Sequence, residues 1–121
     1  MTSDPVIINP DQQRLVLKAI SNGPRPLATL RVWSTVILHI RPDTGEIAAS
    51  GRELAEDAGI NTDETYRALN RLAEIGALLK LQPGHYAVNP HVGWVGDLAK
   101  RQETKRQEAA KHVPPVRLIK P

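Results

Sequence analysis

Cysteine is absent from the 121-residue sequence, which also has no long apolar run and no cleavable leader. Without thiols the chain has neither a disulfide framework nor a thiolate metal site. Without an apolar stretch of about 18 residues it has no segment that would span a bilayer. These absences predict a cytoplasmic protein without a membrane partner, and the length suits one domain with a single modest core.

The sequence also lacks the usual motifs of enzymes. The sequence has four histidines, and they do not occur at the short spacings of metal ligands; they are His39, His85, His91 and His112. A glycine-rich phosphate loop and the nucleophile elbow of hydrolases are missing too. Glu56 and Asp57 are adjacent in a short predicted helix, so their carboxylates point apart. We therefore expect no catalytic residue, no metal, no cofactor and no enzymatic activity.

Positive charge is concentrated towards the C-terminal end of the chain. The formal net charge is +3, and residues 97–121 hold seven Lys or Arg against three Asp or Glu, whereas residues 1–96 hold nine against ten. This pattern is typical of a near-neutral body with a basic appendage that meets nucleic acid, although a solvated tail is the alternative. It divides the chain into a lead-in (1–10), a folded domain (11–96) and a basic C-terminal helix or tail (97–121).

The first half of the chain predicts two helices. One begins with Asp11 as its cap and ends at the sequence SNGPRP. The other runs from Pro26 to Arg41, with proline near its first position. Its apolar residues recur at three- and four-residue steps and should face the core; they are Leu27, Leu30, Trp33, Ile37 and Ile40. A turn at 42–45 and a short β-prone piece around Ile47 follow.

A capping box marks the next helix. The Ser50 side chain can accept a hydrogen bond from the amide of Glu53, whose carboxylate can reach back to the serine amide. This predicts a helix from Gly51 to Ala58, and Gly59 supplies the residue that ends it.

A second box, Asn61 with Glu64, predicts a helix that ends near Ile75. In this interpretation Glu64 serves its own helix and needs no partner outside it. Two β-prone runs, 78–82 and 85–88, then flank a Pro-Gly turn and predict a hairpin.

Helix, turn, helix and hairpin in this order are typical of a winged helix-turn-helix, whose second helix enters the major groove of DNA. The segment RELAEDAGINTDETYRALNRLAEIGALLKL resembles winged-helix proteins of the MarR and GntR kind. The continuation GHYAVNPHVGWVGD, with Tyr-x-Val-Asn-Pro before an aromatic-Gly-Asp tail, resembles the RepL-type plasmid replication proteins. The similarity spans about Trp33 to Asp97. It implies a role on plasmid or mobile-element DNA, either in replication initiation or as a transcriptional repressor.

The expected fold class is therefore α+β, mostly α with a small β-hairpin. The winged helix-turn-helix carries an N-terminal helical extension and a basic C-terminal helix or tail. The expected partners are double-stranded DNA, a second copy of the chain, and the replication or transcription machinery. The expected location is the cytoplasm, in association with the nucleoid or a plasmid.

Two registers of the second helix are compatible with its apolar residues. Either Tyr66, Leu69 and Ala73 face the core, or Thr65, Leu69 and Leu72 do. The family pattern places a small β-branched residue in the core at the position of Thr65, so the resemblance implies the second register. In that register the outward residues are Asp63, Tyr66, Arg67 and Asn70.

Arg67 is the strongest candidate for base reading, because a guanidinium can pair bidentately with guanine O6 and N7. Asn70 can pair with adenine, and Arg71, nearer the flank, is expected to hold a phosphate. Further contacts with DNA are predicted at the helix starts, the hairpin and the tail, namely for Arg52, Asn61, Thr62, Lys80, Gln82, His85, Lys100, Arg101, Lys105, Arg106 and Lys111.

Negative charge at the start of the reading helix is unusual for a helix that approaches phosphates. Glu64 is explained by the capping box. Asp63 has no capping role, and it either stabilises the helix dipole or accepts a hydrogen bond from cytosine N4. The acidic start also supports an alternative function, a winged-helix adaptor whose Tyr66, Asp63 and Glu64 face a protein partner.

Overall fold

The computed structural model describes residues 6–41, 44–95 and 106–116. These ranges form an α+β structure. Its helices are α1 (Pro10–Ser21), α2 (Pro26–Val36), α3 (Gly51–Ala58) and α4 (Thr62–Ile75), and a 3-10 helix, Ile37–His39, follows α2. Its strands are β1 (Val6–Ile8), β2 (Leu78–Gln82), β3 (His85–Val88) and β4 (Gly93–Val95).

The predicted hairpin is confirmed. Strand β2 pairs antiparallel with β3, with Leu78 opposite Val88, and the register shifts between Lys80 and Gln82. The β-prone piece before α3 lies against this hairpin, because the Ile47 amide donates to the carbonyl oxygen of Tyr86 over 2.9 Å. The predicted turn at 42–45 includes Pro42 and Asp43, which lie outside the described residues.

The N-terminal segment differs from the prediction in two ways. Val6–Ile8 form strand β1, which pairs antiparallel with β4 near the other end of the domain. Helix α1 begins at Pro10, and its cap is Asn9 rather than Asp11: Asn9 Oδ1 accepts hydrogen bonds from the amides of Asp11 (3.0 Å) and Gln12 (3.2 Å). Proline suits the first helical position because it has no amide to satisfy, which moves the cap to the residue before it.

The predicted second helix is shorter than expected, and its buried face is a different one. Helix α2 ends at Val36, and its buried residues are Thr29, Val32, Trp33, Thr35 and Val36. Of the expected stripe, Leu27 and Leu30 are exposed, whereas Trp33 and Ile40 are buried. The helix carries apolar residues on two sides, and the side with the valines and the tryptophan packs against α3 and α4.

The predictions for α3 and α4 are largely confirmed. Ser50 and Glu53 form the capping box, and Gly59 ends α3 with a φ of 72°. Asn61 Oδ1 accepts from the amide of Glu64 over 2.8 Å and so caps α4. The left-handed φ at the α3 end suits glycine, which has no Cβ to clash.

The register of α4 is the second of the two considered. Thr65, Leu69 and Leu72 are buried, at 0%, 2% and 0% exposure, whereas Tyr66 is 43% exposed. The alternative register, with Tyr66 inward, is therefore wrong. Leu54 of α3 is buried in the same core as Leu69 and Leu72.

The C-terminal segment packs against the domain. Residues 106–110 are helical, and the rest of the predicted helix over 97–111 lies partly outside the described residues. Val116 is only 3% exposed, and its amide donates to Gln12 Oε1 of α1 over 2.7 Å. The segment that the sequence separated as a tail thus contributes to the core.

Asn89 joins this segment to the end of α4. Its side chain is 1% exposed, and Nδ2 donates to the carbonyl oxygens of Gly76 and Pro114, both over 2.9 Å. Its Oδ1 accepts from the amide of His91, also over 2.9 Å. Every hydrogen-bonding group of this buried amide except one lone pair is therefore satisfied.

Candidate functional site

The solvent side of α4 is the candidate site, and we call it the outer face of α4. It consists of Asp63, Tyr66, Arg67 and Asn70, all exposed. They share this side because the core residues of α4 occupy the opposite one. No hydrogen bond or ion pair to another described residue holds the Arg67 side chain, so its five N–H donors are available to a ligand.

Tyr66 lies against the start of α3. A Cβ added to Gly51 would come within 2.5 Å of Tyr66 Cζ, so the ring rests directly on the glycine backbone. The exposed ring is thus held in place on one side. This arrangement depends on glycine at the first position of α3, and a larger residue there would displace the ring.

Asn70 is engaged by the hairpin. The phenol of Tyr86, on β3, donates to Asn70 Oδ1 over 3.2 Å. Bidentate pairing with adenine uses both Oδ1 and Nδ2 of an asparagine side chain. The predicted adenine contact of Asn70 therefore competes with the hydrogen bond from Tyr86, and only Nδ2 remains uncommitted. The bond also fixes α4 relative to the hairpin.

Burial raises the pKa of the Tyr86 phenol above its ordinary value of 10.0, and the nearby Tyr66 phenol adds to the rise. Because the folded chain holds this proton more tightly than the unfolded chain, Tyr86 contributes stability that is present below pH 10 and lost as the pH rises further. We expect the free energy of unfolding, measured with urea at several pH values, to fall less steeply above pH 10 in Tyr86→Phe. Equal slopes for both proteins would contradict this assignment, since all the other ionisable groups are the same in both.

Glu64 does not complete a capping box. Its amide is capped by Asn61, but its carboxylate accepts a hydrogen bond from the Arg25 guanidinium at the start of α2. The expectation that Glu64 needs no partner outside its helix is therefore wrong. Arg25 has a φ of 47°, unusual for a residue with a Cβ. The ion pair neutralises one of the two carboxylates at the start of α4.

Asp63 is exposed, and none of the described residues forms an ion pair with it. With Glu64 paired, Asp63 is the single uncompensated carboxylate in the first turn of α4. Its neighbour on the outer face, Arg67, lies one helical turn further along.

Arg71 follows Arg67 by one helical turn, but its guanidinium turns towards the chain between α1 and α2. Its side chain is 25% exposed, and Nη1 donates to Glu74 Oε2 over 3.4 Å. A Cβ on Gly23, after α1, would lie 2.8 Å from Arg71 Nη2, so the guanidinium packs on the chain between α1 and α2. Its Nε is buried without a hydrogen-bond partner. The guanidinium of the predicted phosphate-binding residue is thus partly buried and engaged within the fold, whereas that of Arg67 is exposed.

The remaining predicted residues of the domain lie at the start of α3, at the start of α4 and on the hairpin. All of them are exposed, and they are Arg52, Asn61, Thr62, Lys80, Gln82 and His85. A cavity of about 440 Å³ separates the start of α3 from the hairpin, and Arg41, Glu53 and His85 are among its lining residues. The sequence did not predict that Arg41 lines this cavity or that Arg25 pairs with Glu64, although each is a basic residue beside a helix end.

Of the predicted basic residues in the tail, Lys100, Arg101 and Lys105 lie outside the described residues. Arg106 is directed back to the domain, where Nη1 donates to the carbonyl oxygen of Pro90 over 3.3 Å. Lys111 pairs with Glu108 over 3.1 Å on the exposed surface. Two basic side chains in the described part of the tail therefore contact other groups of the same chain.

Comparison of the chain with models of protein families, with curated protein sequences and with solved structures gave no match. None of the helices in the described ranges is both long and apolar enough to cross a membrane. The same ranges contain no group of three or more side chains suited to holding a metal ion.

Proposed function

We propose that the protein is a sequence-specific binder of double-stranded DNA with a winged-helix fold. In this proposal α4 enters the major groove, and the β2–β3 hairpin lies along the neighbouring backbone. The observation that carries it is the outer face of α4, where Arg67 has no partner among the described residues. The exposed side chains of Lys80 and His85 lie on the hairpin that follows α4 directly.

The charges of the outer face suit selective binding better than strong nonspecific binding. Arg67 is placed to pair with guanine, the commonest specific contact in the major groove. Asp63 repels phosphate, so it disfavours every sequence that does not offer its carboxylate a donor such as cytosine N4. The Arg25–Glu64 pair limits this repulsion to one carboxylate.

Within this class we propose the role of a RepL-type plasmid replication protein, acting at an origin or as a repressor at a promoter. The support is the resemblance in Tyr-x-Val-Asn-Pro, residues 86–90. Two residues of that motif position the reading helix: Tyr86 bonds to Asn70, and Asn89 bonds to the carbonyl oxygen of Gly76. In the proposed DNA-binding module, the motif therefore holds α4 in position against the hairpin.

A selection from random DNA duplexes tests the proposed function. We expect the full chain to enrich one motif, to bind it more tightly than unrelated duplex, and to lose affinity as salt rises, because phosphate contacts release counterions. Footprinting on the DNA beside its own gene should then protect a copy of that motif. Equal binding to all duplexes, or no binding to duplex DNA, would show that the proposal is wrong.

The alternative is a winged-helix adaptor that binds a protein through the outer face of α4. The observation that favours it is the composition of this face, where the exposed ring of Tyr66 lies beside one carboxylate and one guanidinium. Such a mixed surface is typical of protein interfaces, whose central residues are often Tyr and Arg. Failure of the duplex selection would favour this function.

A further inference from the structure

The hydrogen bond between Tyr86 and Asn70 joins a buried residue of the hairpin to an exposed residue of α4. Tyr86 is only 6% exposed, whereas Asn70 lies on the outer face of α4. The buried phenol needs an acceptor for its hydrogen, and among the described residues that acceptor is Asn70 Oδ1, 3.2 Å away. The Asn70 amide is therefore oriented with its oxygen towards the hairpin.

This orientation leaves the nitrogen end of the Asn70 amide available to a ligand. Nδ2 forms no hydrogen bond with any residue in the part of the chain that the structure describes. An amide nitrogen donates and does not accept. Because Asn70 follows Arg67 by one helical turn on the same face, the two side chains would meet neighbouring base pairs in the proposed complex. Asn70 would approach its base as a donor alone.

We propose that Tyr86 sets the base preference of Asn70, so that Asn70 binds either purine in the major groove rather than adenine alone. Adenine and guanine both present N7 as an acceptor, and only adenine adds the N6 amino group as a donor beside it. Selecting adenine requires Asn70 Oδ1 and Nδ2 to face the same base edge together. Oδ1 is turned to the buried phenol instead. Tyr86 is thus a positioning residue that acts on DNA through Asn70.

Breaking the bond from Tyr86 would bring adenine little advantage. It would leave a buried hydroxyl without a partner, which costs about as much free energy as a bidentate contact with a base contributes. Burial also raises the pKa of this phenol, so the hydroxyl stays protonated and keeps its need for an acceptor. Asn70 Nδ2 can bond to N7 of either purine without any movement of Oδ1. The bond from Tyr86 and a contact with N7 are therefore compatible.

The wild-type chain provides the first test of this inference, which rests on the proposed function. Selection from random duplexes with the wild type and with Asn70→Ala locates the base pair that Asn70 contacts, as the position whose purine preference disappears in the variant. Fluorescence anisotropy then compares duplexes with adenine or guanine at that position. We expect the two wild-type affinities to agree within about threefold, because both purines present N7. Replacing either base with its 7-deaza analogue, which lacks this acceptor, should weaken binding.

Tyr86→Phe provides the second test, because it should make the same position select adenine. Without the hydroxyl the amide can face adenine with both Oδ1 and Nδ2, so adenine should be preferred over guanine by about fivefold or more. Adding Asn70→Ala should abolish this new preference, which a general loosening of the hairpin would not do. Leu81→Ala is the matched control, since Leu81 is 49% exposed on the same hairpin. It should keep the wild-type preference.

The outcomes separate this inference from the proposed function. A chain that enriches no motif would overturn both. A motif in which Asn70→Ala changes no position would overturn the inference alone, and so would a wild type that already selects adenine there. The same holds for a Tyr86→Phe variant that binds the two purines equally, and for a shift to adenine that Leu81→Ala also produces. The wild-type comparison of the two purines decides even if Tyr86→Phe does not fold.

Discussion

Replacing Arg67 with alanine is expected to weaken binding to the selected DNA site by about 1–3 kcal/mol, or roughly 5- to 150-fold. The affinity for unrelated duplex should fall much less. The substitution removes hydrogen bonds to a base edge, which only the selected site offers, and in unrelated duplex it removes only one positive charge near the phosphates. Fluorescence anisotropy with the selected site and a scrambled duplex, at matched salt, measures both affinities. The ratio between the two affinities shows whether Arg67 contributes to sequence preference.

Arg67→Lys is the matched control for this prediction. Lysine keeps the positive charge but cannot form the planar bidentate contact of a guanidinium. We expect it to lose most of the preference for the selected site while the slope of affinity against salt stays close to wild type. If Arg67→Ala leaves the ratio of the two affinities unchanged, the outer face of α4 does not read the bases.

Replacing Asn89 with alanine is expected to lower the free energy of unfolding by about 3–5 kcal/mol. The substitution removes the buried side-chain amide and its three hydrogen bonds to partly buried backbone groups, namely the carbonyl oxygens of Gly76 and Pro114 and the amide of His91. Each lost hydrogen bond costs about 1–1.5 kcal/mol, and the cavity left in place of the buried amide adds to the loss. Urea unfolding followed by circular dichroism measures the loss, which is a large part of the stability that a single domain possesses.

Asn61→Ala is the matched control, because the same side chain is removed from an exposed position. Asn61 caps α4 with one hydrogen bond, so its loss should cost only about 1 kcal/mol. The difference between the two variants isolates the effect of burial and of the link to the C-terminal segment. Similar losses in both would contradict the role assigned to Asn89.

The Arg25–Glu64 pair shows how an unusual feature of the sequence can acquire a partner in the fold. Two adjacent carboxylates at the start of α4 looked unfavourable for a helix that approaches DNA. The fold places Arg25 beside Glu64, although the two are 39 residues apart in sequence. The unfavourable charge on this helix is thus reduced to Asp63 alone, the residue for which a selective role is proposed.

The sequence by itself determined the elements that depend on neighbouring residues. The Ser50 box, the Asn61 cap and the glycine that ends α3 act within a few residues, so short-range patterns predicted α3 and α4 correctly. The hairpin followed from its Pro-Gly turn. The inward side of α4 needed the resemblance to winged-helix proteins as well, because two registers fitted the apolar residues equally.

Only the tertiary structure decided which groups at the candidate site are already occupied. The hydrogen bond of Tyr86 to Asn70, the packing of Arg71 on Gly23 and the burial of Val116 all join residues that are distant in the chain. The same holds for the choice of the buried side of α2, where both sides are apolar. Such contacts depend on how the elements pack, and packing involves the whole chain at once, so no local pattern in the sequence encodes them.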